Sequence, residues 1–159
     1  MRAFTLLEML ASVVIVLVLA SMIYPAVHGI TPAAERAVCT TNLRNLHTAF
    51  AGYAVEGWPQ IPKGITLGSI QEQKWWRDTA RQDLGLGDKA WECPTLKRSF
   101  RTFPEDERPL IHYLPTPFGP QPNLANKNSQ MPWFIEMGDA HGGGNLIVRQ
   151  NGTVEPSRP

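Results

Sequence analysis

Residues 4–27 read FTLLEMLASVVIVLVLASMIYPAV, and this stretch decides the architecture of the chain. From Met9 to Val27 there are nineteen consecutive residues without a formal charge, mostly Leu, Val, Ile, Ala and Met. As a helix they would be about 28 Å long, close to the hydrocarbon thickness of a bilayer. A helix that packs on a soluble core shows a polar stripe, and this segment shows none. The composition therefore predicts a membrane helix.

A cleaved secretory signal is the main alternative interpretation of the segment. Arg2 would supply the basic residue before the apolar core, and Ala20-Ser21 would be the cleavage site. Glu8 argues against this, because it places an acidic residue at the very start of the apolar run. A plain membrane anchor would not favour Glu8 either, since a carboxylate next to hydrocarbon costs on the order of a few kcal/mol unless it is paired.

The segment Phe4-Thr5-Leu6-Leu7-Glu8-Met9-Leu10 resembles the prepilin processing motif of type IV pilins and type II secretion pseudopilins. The resemblance implies that a prepilin peptidase cuts between Ala3 and Phe4 on the cytoplasmic side and methylates the new amine. Ala3 stands where the family usually has Gly. By the same resemblance, Glu8 would pair with the Phe4 ammonium of a neighbouring subunit during assembly, which sets the register between packed helices.

Pro25 fits the same resemblance, because pilin helices commonly carry a proline near this distance from the cleavage site. It removes one helical hydrogen bond and predicts a kink. The expected organisation is a leader at residues 1–3, a transmembrane and assembly helix at 4–28, and a periplasmic or extracellular globular domain at 29–159.

A second helix is predicted to begin at Thr31-Pro32, because Thr can cap a helix and Pro suits its first position. Gly57 and Pro59 are expected to end it. Apolar residues in between recur at spacings of four, three, four and three, which is one face of an amphipathic helix: Cys39, Leu43, Leu46, Phe50 and Tyr53. In pilins such a face packs against a β-sheet. His47 neighbours it and is expected at its boundary.

The middle of the chain predicts a short helix within residues 69–84, with Gly85 as its stop. Trp75 is among the residues available for burial there. The chain has five tryptophans. Such residues build the core of a small irregular domain more often than they line a sugar or peptide groove. The proline-rich residues 115–132 are expected to form a surface loop or extended arm.

The C-terminal part predicts three strands, at residues 133–137, 145–149 and 153–155. Asn151-Gly152 is a strong two-residue hairpin signal between the last two. The expected fold class is α+β: a long N-terminal helix packed on a small antiparallel sheet, with loop-rich insertions.

The segment from His141 to Gly152 resembles the C-terminal H-x9-DG signature of a large bacterial group of pseudopilin-like proteins. Asn151 stands where that group usually has Asp, and both residues tolerate the turn. Cys39-Thr40-Thr41-Asn42-Leu43 matches the C-x-x-N-L segment of the group, and Cys93-Pro94 matches a Cys-Pro often found midway.

Few side chains suggest chemistry. A disulfide between Cys39 and Cys93 is a hypothesis, because an even pair outside the cytoplasm can form one. By resemblance to secretion pseudopilins, Asp139 with backbone carbonyls could hold calcium; no other cofactor is expected. Glu136, Asp139 and His141 lie close in sequence but match no catalytic motif. His141 is expected to hydrogen-bond to the hairpin backbone.

The charge balance and the resemblance together define the expected function. A net charge of +1, from 15 basic and 14 acidic residues, lacks the basic excess of a nucleic-acid binder. We therefore expect no enzyme but a pseudopilin or minor pilin, single-pass in the bacterial inner membrane. Its expected partners are prepilin peptidase, other pilin-like subunits and an inner-membrane assembly platform. A binding module for DNA uptake or adhesion, and an anchored envelope domain of unknown role, remain alternatives.

Overall fold

The computed structural model describes residues 6–157, and within them it leaves out the side chains of residues 22–31. The chain divides into two compact units, Met1–Ala34 and Glu35–Pro159. The cleavage site predicted at Ala3 and Phe4 lies outside the described residues.

A single long helix, α1, runs from Leu6 to Glu56. The new helix start predicted at Thr31-Pro32 is therefore wrong. A proline inside a helix removes one hydrogen bond, but the turns on either side keep the backbone helical. The kink predicted at Pro25 stays a prediction. The end of the helix is confirmed, because Glu56 is its last residue and Gly57 follows with a φ of 142°.

None of the helices in residues 6–157 reaches the length and apolarity needed to cross a membrane.

The unit from Glu35 onward adds three short α-helices: α2 at Ile70–Leu84, α3 at Pro94–Ser99 and α4 at Leu124–Lys127. The helix predicted within residues 69–84 is confirmed. The Ser69 hydroxyl accepts a hydrogen bond from the Glu72 N–H, and Gly85 ends the helix in the left-handed conformation. Trp76 is fully buried and Trp75 only half-buried, so the burial predicted for Trp75 belongs mainly to its neighbour.

The sheet has four antiparallel strands in the order β1-β2-β3-β4. They lie at β1 Tyr113–Pro115, β2 Phe134–Glu136, β3 Leu146–Val148 and β4 Val154–Pro156. The last three confirm the predicted strands. The first was missed, because Pro115 was assigned to the loop that follows. A proline is compatible with this position because β1 is an edge strand. The α+β fold class is confirmed.

The core forms where α1 meets the aromatic side chains of the second unit. The apolar face of α1 is confirmed, since Cys39, Leu43, Leu46 and Phe50 are all 0% exposed. The Phe50 ring lies 5.1 Å from that of Phe134 and 5.5 Å from that of Trp58. Four of the five tryptophans are buried: Trp58, Trp76, Trp91 and Trp133. The tryptophans therefore build the core, as expected.

Candidate functional site

Two cysteines, a glutamate and a histidine meet inside the second unit; we call them the Cys–Glu–His cluster. Cys39 comes from α1, Cys93 precedes α3, Glu136 ends β2 and His141 lies in the loop after β2. One ligand atom from each residue lies within 4.8 Å of the other three. The cysteines are 0% exposed, Glu136 is 1% exposed, and the His141 side chain is 5% exposed. The cluster is therefore sealed from bulk solvent.

The four side chains of the cluster approach one another closely. The Sγ atoms of Cys39 and Cys93 lie 2.6 Å apart. The His141 Nε2 atom lies 3.5 Å from Cys93 Sγ and 3.5 Å from Glu136 Oε1. Glu136 Oε2 accepts a long hydrogen bond of 3.4 Å from the Leu146 N–H. Glu136 Oε1 is buried without a hydrogen-bond partner in the described part of the chain.

A network of backbone hydrogen bonds holds Cys93 in this position. Its N–H donates to Nδ1 of His112 at 2.8 Å. The backbone of His112 in turn accepts from the Met137 N–H and donates to the Trp91 carbonyl, each at 2.8 Å. His112 thereby ties the Cys93 segment to the end of β2. The Asn42 amide adds a further tie from α1, donating to the Glu92 carbonyl at 2.9 Å.

Burial and crowding shift the ionisation of the cluster. The contact between the two thiols lowers the pKa of Cys39 and raises the pKa of Cys93. Burial, and then the neighbouring Cys93, raise the pKa of Glu136 to about 8. Desolvation disfavours the charged form of each acid, and like charges disfavour one another. Cys93 and Glu136 therefore favour their protonated forms, and Cys39 is the thiol that ionises more readily.

Three motifs that lie far apart in the sequence converge here. Cys39 comes from the segment Cys39-Thr40-Thr41-Asn42-Leu43, Cys93 from the Cys93-Pro94 pair, and His141 from the start of the segment that ends at Gly152. The disulfide hypothesis stays a prediction, and the structure brings its two sulfur atoms together. Sequence reasoning did not assign Glu136 to this set. Its alternation with Phe134 along β2 was the available signal, because that register places a carboxylate on the buried face.

The end of the H-x9-DG segment lies elsewhere, against α1. His47 Nε2 is 2.8 Å from the Gln150 carbonyl oxygen, and its ring stacks on Trp133 with centroids 4.4 Å apart. A Cβ placed on Gly152 would lie 3.4 Å from the same ring. His47 is thus the histidine that contacts the hairpin backbone. The contact predicted for His141 is wrong, because the fold turns that ring toward Cys93.

The Asn151-Gly152 turn and the predicted calcium ligand Asp139 both lie outside the Cys–Glu–His cluster. The Asn151 side-chain oxygen accepts a hydrogen bond from the Thr153 N–H at 3.0 Å, and Gly152 has a φ of 76°. The Gly152 N–H donates to the Arg149 carbonyl at 2.9 Å, and the Arg149 N–H donates to the Thr153 carbonyl at 3.0 Å. The turn between β3 and β4 is therefore where it was predicted, but its loop has three residues, 150–152, and not two. Asp139 is exposed and is not one of the four cluster residues. Calcium binding at Asp139 stays a prediction.

The N-terminal unit carries a second candidate surface. Glu8 lies in the first turn of α1, where a carboxylate is favoured by the helix dipole. Large apolar side chains cover the helix from Leu6 to Leu19, with exposed fractions between 48% and 84%.

Residues 1–24 match the family described as the prokaryotic N-terminal methylation motif. No curated protein matches the chain, and neither does any solved structure. The matched segment contains Ala3, Phe4 and Glu8, which are the residues of the predicted processing and assembly site. The N-terminal segment is therefore that of a type IV pilin-like prepilin, the substrate class of prepilin peptidase.

Proposed function

We propose that the chain is a pseudopilin or minor pilin, a structural subunit of a type II secretion pseudopilus or type IV pilus-like fibre. The observation that carries the proposal is the methylation motif at residues 1–24, which includes the exposed apolar part of α1. The role is structural, since the motif marks a subunit for processing and assembly.

The exposed side chains of α1 supply the driving force for assembly. Each apolar square ångström removed from water contributes roughly 25 cal/mol, so this surface favours burial against lipid or other helices. Leu6 and Leu7 are 84% and 78% exposed, the highest values among the exposed large apolar residues. The globular domain has a core of its own. Burial of the N-terminal surface therefore does not compete with folding of the domain.

The proposed sequence of events is mechanical. Residues 4–28 hold the precursor in the bacterial inner membrane as a single pass, with the globular domain in the periplasm. Prepilin peptidase removes residues 1–3 and methylates the amine of Phe4. Other pilin-like subunits and the inner-membrane platform then draw the helix from lipid into a fibre that spans the envelope or reaches the surface.

Glu8 is the residue that we propose for recruitment. It is the fifth residue of the proposed mature chain, and its carboxylate would pair with the Phe4 ammonium of an adjacent subunit. Pairing of two desolvated charges fixes the register between helices even where its net stabilisation is small.

The test compares the same substitution at the two ends of α1. Glu8→Gln and Glu56→Gln are each expressed with prepilin peptidase and a pilus assembly system, and the mature chain that sediments with sheared fibres is quantified. We expect Glu8→Gln to reduce incorporation about tenfold, which corresponds to ~1.4 kcal/mol. Glu56→Gln should assemble like the unmodified chain, because Glu56 is an exposed residue of the globular unit. Equal incorporation of the two variants would contradict the proposed recruitment.

A further inference from the structure

We infer that the Cys–Glu–His cluster, in its dithiol form, is a binding site for one thiophilic divalent cation, with Zn²⁺ as the best-matched ion. The ligands would be the sulfur atoms of Cys39 and Cys93, Nε2 of His141 and the carboxylate of Glu136. This site is independent of the assembly role proposed for the N-terminal helix.

The donor set is the first argument. Zn²⁺ in proteins takes four ligands from thiolate, imidazole and carboxylate groups, and these are the groups that meet here. Zn–S bonds of about 2.3 Å and Zn–N or Zn–O bonds of about 2.0–2.2 Å imply tetrahedral edges of about 3.4–3.8 Å. The edges from His141 Nε2 to Cys93 Sγ and to Glu136 Oε1 are both 3.5 Å. The sulfur pair, now at 2.6 Å, would have to open by about 1.2 Å to reach the same geometry.

The buried carboxylate of Glu136 is the second argument. Its Oε1 atom lies inside the cluster, 3.5 Å from His141 Nε2, and accepts no hydrogen bond within residues 6–157. A buried polar atom without a partner costs on the order of 1–3 kcal/mol, and more when it is charged. A cation between the sulfur atoms and the carboxylate would compensate Glu136 directly.

The rigidity of the surroundings is the third argument. The four ligands come from three separate segments of the fold, α1, the residue before α3, and the end of β2 with its following loop, so the site exists only when the domain is folded. Cys93 is fixed through His112, whose Nδ1 accepts the Cys93 N–H. Cys39 sits on the buried face of α1. Such support holds the metal ligands in place and strengthens metal binding.

The disulfide hypothesis and the metal site require different forms of the same sulfur atoms. A disulfide removes both thiolates and leaves only the Glu136 and His141 pair. The reduced chain is therefore the form in which the cation binds, and each thiol that becomes a ligand releases its proton.

The test uses the full chain in detergent micelles, reduced with a phosphine, desalted without oxygen and titrated with Co²⁺ alone. We expect saturation at one Co²⁺ per chain, with a thiolate-to-cobalt absorption band in the near ultraviolet and the visible bands of a tetrahedral site. Zn²⁺ should abolish these bands by displacement. The same chain with its cysteines oxidised should show none of them.

Matched variants assign the ligands. Glu136→Gln keeps the size of the side chain and His141→Ala removes the imidazole, and each should weaken Co²⁺ binding at least about tenfold. Asp139→Asn is the control, because this exposed carboxylate lies on the same loop outside the cluster. It should bind Co²⁺ like the unmodified chain. Tryptophan fluorescence, to which the buried tryptophans of the core contribute, reports whether each variant is folded.

A second measurement needs no variant. Zn²⁺ should slow alkylation of Cys39 and Cys93 in the reduced, folded chain, as counted by mass spectrometry. A reduced and folded chain that gives no thiolate-to-cobalt band, or whose cysteines are alkylated equally fast with and without Zn²⁺, would overturn the inference. Loss of Co²⁺ binding in Asp139→Asn but not in Glu136→Gln would also overturn it.

Discussion

Apolar side chains are exposed to solvent in one part of α1 and buried in another part of the same helix. In the first part of α1, the exposed fraction of large apolar side chains runs from 48% at Val18 to 84% at Leu6. Further along, Leu43, Leu46 and Phe50 are all 0% exposed. Both parts are helical and rich in apolar residues, so neither helix propensity nor hydrophobicity explains the difference. The difference lies in whether the chain itself provides a covering surface.

The spacing of the apolar residues along α1 shows which part can be covered by other elements of the same chain. The buried residues follow spacings of three and four, so one face is apolar and one layer of sheet and aromatic side chains covers it. The segment from Met9 to Val27 has no polar face, and a single layer on one side would leave the rest exposed. The large apolar side chains from Leu6 to Leu19 therefore stay exposed, whereas those of the second part pack in the core of the domain.

The largest expected effect on stability comes from truncating a large apolar side chain to Ala in each of the two parts of α1. Phe50→Ala should lower the free energy of unfolding of the globular domain by about 3–5 kcal/mol, because it opens a cavity among Phe134 and the core tryptophans. Leu10→Ala, at a position that is 60% exposed, should leave it unchanged. Denaturant unfolding of both variants in micelles, followed by tryptophan fluorescence, measures the difference. Equal losses would refute the division of α1 into two roles.

The second largest effect is expected on reduction of the predicted disulfide between Cys39 of α1 and Cys93. If Cys39 and Cys93 form the predicted disulfide, reduction in the absence of metal should lower the free energy of unfolding by about 2–4 kcal/mol, because the bond closes a long loop. Mass spectrometry after alkylation without reduction is the direct check. Two alkylated thiols would refute the bond.

A smaller effect is expected at the boundary of the buried face. His47→Ala removes the contact with the Gln150 carbonyl and the stacking on Trp133, and should cost about 1–2 kcal/mol. Thr48→Ala, on the exposed side of the same turn, is the control and should change stability by less than about 0.5 kcal/mol. Thermal unfolding of the two variants separates these outcomes. A His47→Ala variant as stable as the control would show that the hairpin does not depend on α1.

The smallest effect is at Glu35, the first residue of the second unit. The Thr95 hydroxyl donates to its carboxylate at 2.7 Å and Arg98 pairs with it, which lowers the pKa of Glu35 below 4.5. Because the folded-state pKa is lowered, ionised Glu35 stabilises the folded domain above about pH 4.5, and this stabilisation is lost as the pH falls further. The melting temperature of Glu35→Gln should thus lie slightly below that of the unmodified chain at pH 7, and the gap should close on acidification. A gap that widens in acid would contradict the assigned pairing.

Local signals predicted most of the fold. The apolar face of α1, the Ser69 and Gly85 ends of α2 and the Asn151-Gly152 turn each follow from residues within a few positions. The choice between Trp75 and Trp76 could not be made locally, because it depends on which side of α2 meets the core. Strand β1 was missed because three residues ending in Pro115 form a strand only when paired with β2.

The candidate site was harder to predict, for a physical reason. Cys39 and Cys93 are 54 positions apart, and Cys93 and His141 are 48 apart. Their convergence depends on tertiary packing, and sequence spacing carries no information about it. Glu136 joins them because the register of β2 turns its side chain inward.

We propose that the exposed part of α1 belongs to a processed prepilin. The intact mass and the N-terminal residue of the chain, after co-expression with an active or an inactivated prepilin peptidase, test this proposal. We expect a chain that begins at N-methylated Phe4 with the active enzyme and one that keeps the leader with the inactive enzyme. A chain that keeps Met1 in both cases, or that is cut near Ala20, would contradict it.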